Sequence, residues 1–206
     1  AVGALRRALS SPLAPALVGA RGVCTGAGGR GVGARAWRVY LSGEIHSSWR
    51  EELAAGVARA QLPIELSAPN TSHEDSDDCA AIILGMEEKR PNWDRIGASM
   101  NAVRTRTLID QADVVVVRFG EKYRQWNAAF DAGYAFAKGK PIITLHPPSL
   151  GHSLKEVNAA ANVVCEDVSQ VVQTLAYVID GALPPPKDGD AFIPIVERLG
   201  KGNPNP

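Results

Sequence analysis

The chain has 206 residues, 45% of them hydrophobic and 21% charged, with 22 Lys and Arg against 22 Asp and Glu. That length suits one ordinary domain with a real core plus extensions. A formal net charge of +0 gives no electrostatic reason to expect polymeric nucleic acid or a membrane surface as a partner, and no apolar run is long enough to span a bilayer.

Residues 1–37 differ in composition from everything after them. They carry Arg6, Arg7, Arg21, Arg30 and Arg35 among many Ala and Gly, and no Asp or Glu precedes Glu44. An Arg-rich, acid-free N-terminus reads as an organelle transit peptide; the alternative is an unstructured leader with no address. The scarcity of hydroxyl residues favours mitochondrion over plastid. Cys24, Cys79 and Cys165 lie far apart and show neither metal spacing nor a disulfide framework. Three free thiols in a reducing compartment are expected.

Folding is expected over 38–181. Val39–Leu41 reads as a short strand, followed by a hydroxyl-rich loop, Ser42-Gly43-Glu44-Ile45-His46-Ser47-Ser48. An amphipathic helix over Trp49–Ala60 comes next, with Leu53, Val57 and Ala60 inward and Arg50, Glu51, Glu52 and Arg59 outward. Ser47 or Ser48 is placed as its N-cap, with Glu51 or Glu52 near capping-box spacing. Backbone N–H groups of such a loop can face an anion at the helix N-terminus. The charge of Glu44 argues against simple phosphate binding and suits acceptance from ribose hydroxyls or a base. The plain alternatives are capping for Ser47 and Ser48 and an exposed loop residue for His46.

Leu62–Ser67 reads as the second strand, Thr71–Asp78 as an acidic polar loop or lid, and Ala80–Met86 as a short apolar helix. The acids with His73 do not match an EF-hand, so no metal site is assigned; the alternative to a solvated loop or lid is a direct substrate contact from His73 or a neighbour. Arg95–Gln111 reads as a longer helix with Ile96, Met100, Val103 and Leu108 inward. Val114–Val117 is an apolar β-branched run suited to a buried strand. A short polar loop follows, and then a helix over Asn127–Lys138 in which Phe130, Tyr134 and Ala137 recur at helical spacing. Gly139 and Pro141 stop it, and Ile142–Leu145 reads as the next strand. Leu154–Ala161 is helical, Val163–Cys165 a last strand, and Val168–Ile179 a last helix with Val171, Val172, Leu175 and Val178 buried. Residues 182–206 read as a flexible Pro- and Gly-rich tail with a docking turn at Phe192–Leu199. The sum is α/β: a doubly wound, mostly five-stranded parallel sheet with helices on both faces, flavodoxin- or Rossmann-like.

Within this pattern Asp131 stands apart. It falls near the first turn of a helix, at the carboxyl end of a strand, where open α/β sheets bind ligands and where the helix N-terminal charge favours an ionised carboxylate. The stretch NAAFDAGYAFAKGKPII resembles the signature helix of the nucleoside 2-deoxyribosyltransferase-like superfamily. The wider stretch NAVRTRTLIDQADVVVVRFGEKYRQWNAAFDAGYA, with YLSGEIHSSWR, resembles the YtoQ family within it. The resemblance covers about Val39–Gly181. It implies an enzyme of the N-glycosidic bond of a nucleoside or nucleotide, by transfer or hydrolysis, with Asp131 as carboxylate nucleophile and Tyr40 as the aromatic hydroxyl beside it. It also implies a homo-oligomer by analogy, and no cofactor.

Substrate contacts are expected from Ser42, Gly43, Glu44, Ile45, His46 and Ser47, and from Thr105, Gln125, Trp126 and Asn127, with Tyr123 beside them. Two departures stand out. Asp131 is one methylene, about 1.5 Å, shorter than the Glu usual in the superfamily. Thr105, between Arg104 and Arg106, stands where relatives carry an acid, which points to a different or more anionic substrate. Each position has a bland alternative: a helix cap for Asp131, a strand aromatic for Tyr40, core for Trp126, a solvated face for Arg104 and Arg106. The alternative for the whole is a non-catalytic nucleotide-binding, sensing or assembly module on the same fold.

Overall fold

The computed structural model describes residues 35–89, 92, 95–122 and 124–200. Five strands form one sheet: β1 Trp37–Gly43, β2 Ile64–Ser67, β3 Val114–Arg118, β4 Ile142–Leu145 and β5 Val163–Cys165. All four pairings are parallel and the spatial order is β2-β1-β3-β4-β5. The helices are α1 Trp49–Arg59, α2 His73–Leu84, α3 Arg95–Gln111, α4 Trp126–Ala137, α5 Lys155–Ala160, α6 Val168–Asp180 and α7 Ile195–Gly200. Among the described residues no helix is long and apolar enough to cross a membrane.

Alternation along the strands sends successive side chains to opposite faces. Val39, Leu41, Val116 and Leu145 pack against Trp49, Leu53 and Val57 of α1 and against Val171 and Leu175 of α6. Tyr40, Val115, Val117 and Ile142 pack on the other side against Ile109 of α3 and Ala128, Ala132 and Ala135 of α4. The chain leaves β1 for β2 on one side and returns past it to β3 on the other. This makes β1/β3 the switch point, where a crevice opens beyond the strand ends.

The doubly wound reading therefore holds, and β3, β4, β5 and α3 match their expected bounds closely. Several local expectations are corrected. Trp37, assigned to the leader, opens β1, and Arg35 and Ala36 ahead of it are described too; residues 1–34 of the leader, with Cys24, lie outside the described residues. The Thr71–Asp78 loop and the Ala80–Met86 helix are replaced by one helix, α2, because Ser72 caps its N-terminus by accepting from Asp75 N and the acids beside it favour the first turn. Ser48 occupies the N-cap of α1 as expected, but its side chain makes no capping hydrogen bond; the hydroxyl instead donates to Glu52 at 2.6 Å. Ala60, placed inward, is the exposed residue just after that helix.

The buried stripe of α4 is alanine, not the aromatic set: Phe130 is 61% exposed and Ala137 is exposed too. Small side chains let a helix lie close on a β-branched sheet, and the bulky ones turn outward. Trp126 is likewise exposed, so it is not core. In α3 the buried residues are Gly97 and Ile109, while Val103 faces solvent. In α6 Val178 is exposed and Val172 only partly buried. The tail carries a short helix, α7, whose Ile195, Val196 and Leu199 are exposed, in place of the expected docked turn.

Candidate functional site

The end of β1 builds one wall. Gly43 has φ 103° and pairs with Arg118; a Cβ there would meet the Arg118 carbonyl oxygen at 2.0 Å. Only glycine allows both the positive φ and the close approach. Glu44 N then donates to Arg118 O at 3.1 Å, turning the chain over the sheet rim.

The loop that follows is held from inside. Both carboxylate oxygens of Glu44 accept from the loop itself, one from His46 N at 2.6 Å and the other from the Ser47 hydroxyl. The Glu44 carbonyl accepts from Trp49 Nε1 and Arg50 Nη1, each at 2.7 Å. Arg50 also donates to Gly43 O at 3.0 Å and to Leu41 O at 3.3 Å, with its guanidinium 4.6 Å from the centre of the Trp49 ring. Arg50, read from sequence as an outward residue, is thus the clamp of this loop. Its planar fork reaches three carbonyls at once, which a lysine cannot do.

A second wall comes from the β3–α4 connection. Gln125 accepts from Gly120 N at 2.8 Å through Oε1, closing that loop on itself. Gly120 packs so near the first wall that a Cβ would lie 3.0 Å from Glu44 Cγ. Tyr123 lies outside the described residues. Asp131, one turn into α4, points back to β1, and its Oδ2 accepts from the Ser42 hydroxyl at 2.6 Å. Burial pushes the Asp131 carboxyl up from its ordinary value, and the Ser42 hydrogen bond offsets part of that rise. No Lys or Arg forms a salt bridge with it among the described residues.

Between these walls and α2–α3 lies a cavity of about 710 Å³, well within the range of small-molecule sites. It gathers most of the residues read from the sequence: Ser42, Gly43, Glu44, Ile45 and His46 from the first loop, Thr105 from α3, and Gln125, Trp126, Asn127 and Asp131 from α4 and its approach. Ser47 and Tyr40 do not line it. Ser47 is turned to Glu44. Tyr40 is fully buried beneath the floor, and its hydroxyl makes no hydrogen bond of ordinary geometry among the described residues. Burial pushes that phenol up to about 12; the Thr105 side chain pulls the other way, and the negative charge of Asp131 adds to the rise. Tyr40 therefore stays protonated at any physiological pH.

The far wall is the segment read from the sequence as a loop or lid, with a substrate contact from His73 or a neighbour as its alternative; nothing in the sequence singles out Asn70 or Asn101. Asn70, His73, Ser76, Asp77 and Asn101 line it. Asn101 Nδ2 donates to Ser76 O at 2.8 Å, and His73 Nε2 lies 3.5 Å from Asp77 one turn on. The i,i+4 spacing of His73 and Asp77 was the available signal, but it means something only once the segment is known to be helical. Arg104 and Arg106 line the cavity on either side of Thr105. Arg104 Nη2 donates to Ala68 O at 3.3 Å, and Arg106 lies over the Tyr134 ring at 5.9 Å. Among the described residues no three His, Cys, Asp or Glu side chains converge as a metal site.

The sheet order, the crevice at β1/β3 and a half-buried carboxylate in its wall define a doubly wound α/β protein with a cavity at the switch point. Residues 40–179 match the family described as Nucleoside 2-deoxyribosyltransferase YtoQ, and the chain belongs to that family. It is 44% identical over 142 residues to the protein of Bacillus subtilis (strain 168) described as uncharacterized protein YtoQ, covering 69% of this chain and 96% of that one. Among solved structures it is similar to a conserved protein from Enterococcus faecalis V583, with TM-score 0.45 and 14% identity over 69% of this chain and 98% of that chain. It is similar also to the 2-deoxyribosyltransferase of the psychrotolerant bacterium Bacillus psychrosaccharolyticus, with TM-score 0.42 and 15% identity over 67% and 95% of the two chains.

Proposed function

We propose that this chain breaks the N-glycosidic bond of a nucleoside or nucleotide bound in the switch-point cavity, by transfer or hydrolysis, with Asp131 as the carboxylate that meets the anomeric carbon. The observation that carries this reading is the state of Asp131. One carboxylate oxygen is held by Ser42, and among the described residues the other has no hydrogen bond and neither forms a salt bridge.

Cleavage of the bond to the base leaves the electron pair on the base nitrogen, which takes a proton from solvent or a neighbouring donor. Positive charge develops on the sugar. A carboxylate below it stabilises that charge or closes onto the carbon as an ester, which water or an acceptor nitrogen then opens. Tyr40, buried and protonated, lies within the electrostatic reach of Asp131, whose charge helps to keep the phenol neutral, and it has no direct part in the step.

A panel of nucleosides and nucleotides assayed for released base tests the proposal. Asp131→Ala is expected to lower release by about a thousandfold or more. Release that survives the substitution ends the catalytic reading. Tight binding with no release by the wild type favours instead a nucleotide-binding or sensing module. Thr105 in place of an acid and the absence of Tyr40 from the cavity wall favour that second reading. A homo-oligomer, by analogy with superfamily relatives, is part of the same proposal and is read by sedimentation. So is a mitochondrial address for the Arg-rich leader (plastid the alternative), read by imaging residues 1–37 fused to a fluorescent protein.

A further inference from the structure

We propose that Ser42 is the positioning residue of this site: its hydroxyl fixes the Asp131 carboxylate, holds it in the ionised form, and leaves Oδ1 as the oxygen that meets the ligand. The inference rests on the reading of Asp131 as the reactive carboxylate, but its physical content is testable without any substrate.

Ser42 is 1% exposed, pairs with Val117 near the carboxyl end of the interior strand β1, and shares a strand face with Tyr40 two residues earlier. Its rotamer is therefore not set by solvent. The next residue is the obligatory Gly43, and the loop beyond is clamped by Arg50. The Oγ position is thus fixed by the backbone of β1, and the 2.6 Å bond to Oδ2 is a charge-assisted one between two immobile elements, a strand and a helix. A carboxylate that accepts one such bond has one oxygen committed and one free. Without the donor, Asp131 would be a desolvated carboxyl with nothing to favour its charged form. The protein compensates for taking the acid out of water with a hydroxyl and not with a cation, which leaves the negative charge available.

The test is a carbon-13 carboxyl titration of the full chain by NMR, with Asp131→Asn used to assign the resonance. Ser42→Ala is expected to move the Asp131 midpoint upward and Ser42→Thr to restore it. Ser42→Cys, which fills the same space with a weak donor, is expected to fall between the two, and it stands in if the alanine variant does not fold. Where base release is measurable, Ser42→Ala should lower kcat by roughly ten- to a hundredfold, the equivalent of one hydrogen bond to a charged group. The acid limb of its pH profile should move up with the titration, at nearly unchanged KM. A midpoint identical in wild type and Ser42→Ala overturns the inference, whatever the activity does. A moved midpoint in a protein that releases no base leaves the positioning role standing and ends the catalytic reading.

Discussion

Asp131 is held in a conflict between two physical demands, and the conflict has a measurable sign. Burial raises its midpoint above the ordinary carboxylate value, so the native state binds its proton more tightly than the unfolded chain does. As pH rises from the unfolded midpoint through the native one, the native state pays to ionise a group that the unfolded chain ionises freely, and stability falls. An asparagine in its place carries no charge and can still accept from Ser42. The Asp131→Asn variant should therefore be more stable than the wild type at neutral pH, melting about 2–4 °C higher for each kcal/mol recovered. That advantage should shrink to nothing as pH drops below the ordinary carboxylate range. Melting curves across pH check it; an advantage that does not vary with pH would mean that burial of charge is not its source. On the proposed reading, in which the ionised form of Asp131 meets the sugar, the same raised midpoint places the acid limb of base release above the usual carboxylate value. On that reading, the loss of stability is the trade familiar at active sites.

At the scale of the elements, β3, β4 and β5 could be read because runs of three to five consecutive β-branched or aliphatic residues leave few other options in a parallel sheet. The site was legible to the same extent: the glycine after β1 and the acid at the head of α4 both follow from where strands end. What failed was reading packing from size. Phe130 and Tyr134 look like the inward face of α4, yet Ala128, Ala132 and Ala135 are the buried ones. The stripe at i, i+4 and i+7 was present but is faint in alanine. The far wall of the cavity reads from sequence as a loop and not as a helix because α2 opens with six polar residues, in which propensity says loop and only the Ser72 cap says helix.

The same close-packing logic governs α1 and α6. Gly56 lies where an added Cβ would come within 2.7 Å of Val172 Cγ2. Val172 is β-branched in a helix, with one preferred rotamer, and cannot easily yield. Gly56→Ala gains about 0.5–1 kcal/mol in helix propensity but should lose more to overpacking, for a net destabilisation of about 1 kcal/mol. In a Val172→Ala background the clash disappears and the same substitution should become stabilising. Urea unfolding of the four proteins in this cycle gives the coupling; simple additivity would mean that the two helices are not in the contact described.

For the molecule as a whole, a second carboxylate opposes the first. Asp113, at the entry to β3, accepts from Arg38 N at 2.8 Å and from Arg35 Nη2 at 2.6 Å, tying the segment ahead of β1 to the strand beside it. The Arg38 N–H holds its midpoint below the ordinary value, burial works weakly against this, and Arg35 adds to the lowering. Here the native state binds the proton less tightly than the unfolded chain. The stabilisation is present above the unfolded midpoint and is lost as pH falls through the native one. Asp113→Asn should thus destabilise at neutral pH, by at most about 1 kcal/mol given how open the ion pair is, and should approach wild type in acid. The sign is opposite to that of Asp131→Asn. The two groups lie beyond opposite ends of β3, whose five residues span about 16 Å, too far to couple through shared partners. The double variant should then reproduce the sum of the two single effects to within about 0.5 kcal/mol at every pH. If it does, the pH response of the sheet divides into one rim whose carboxylate stabilises the fold when ionised and an opposite rim whose carboxylate destabilises it when ionised. A double variant departing from the sum would mean that the two ends of β3 do not act independently.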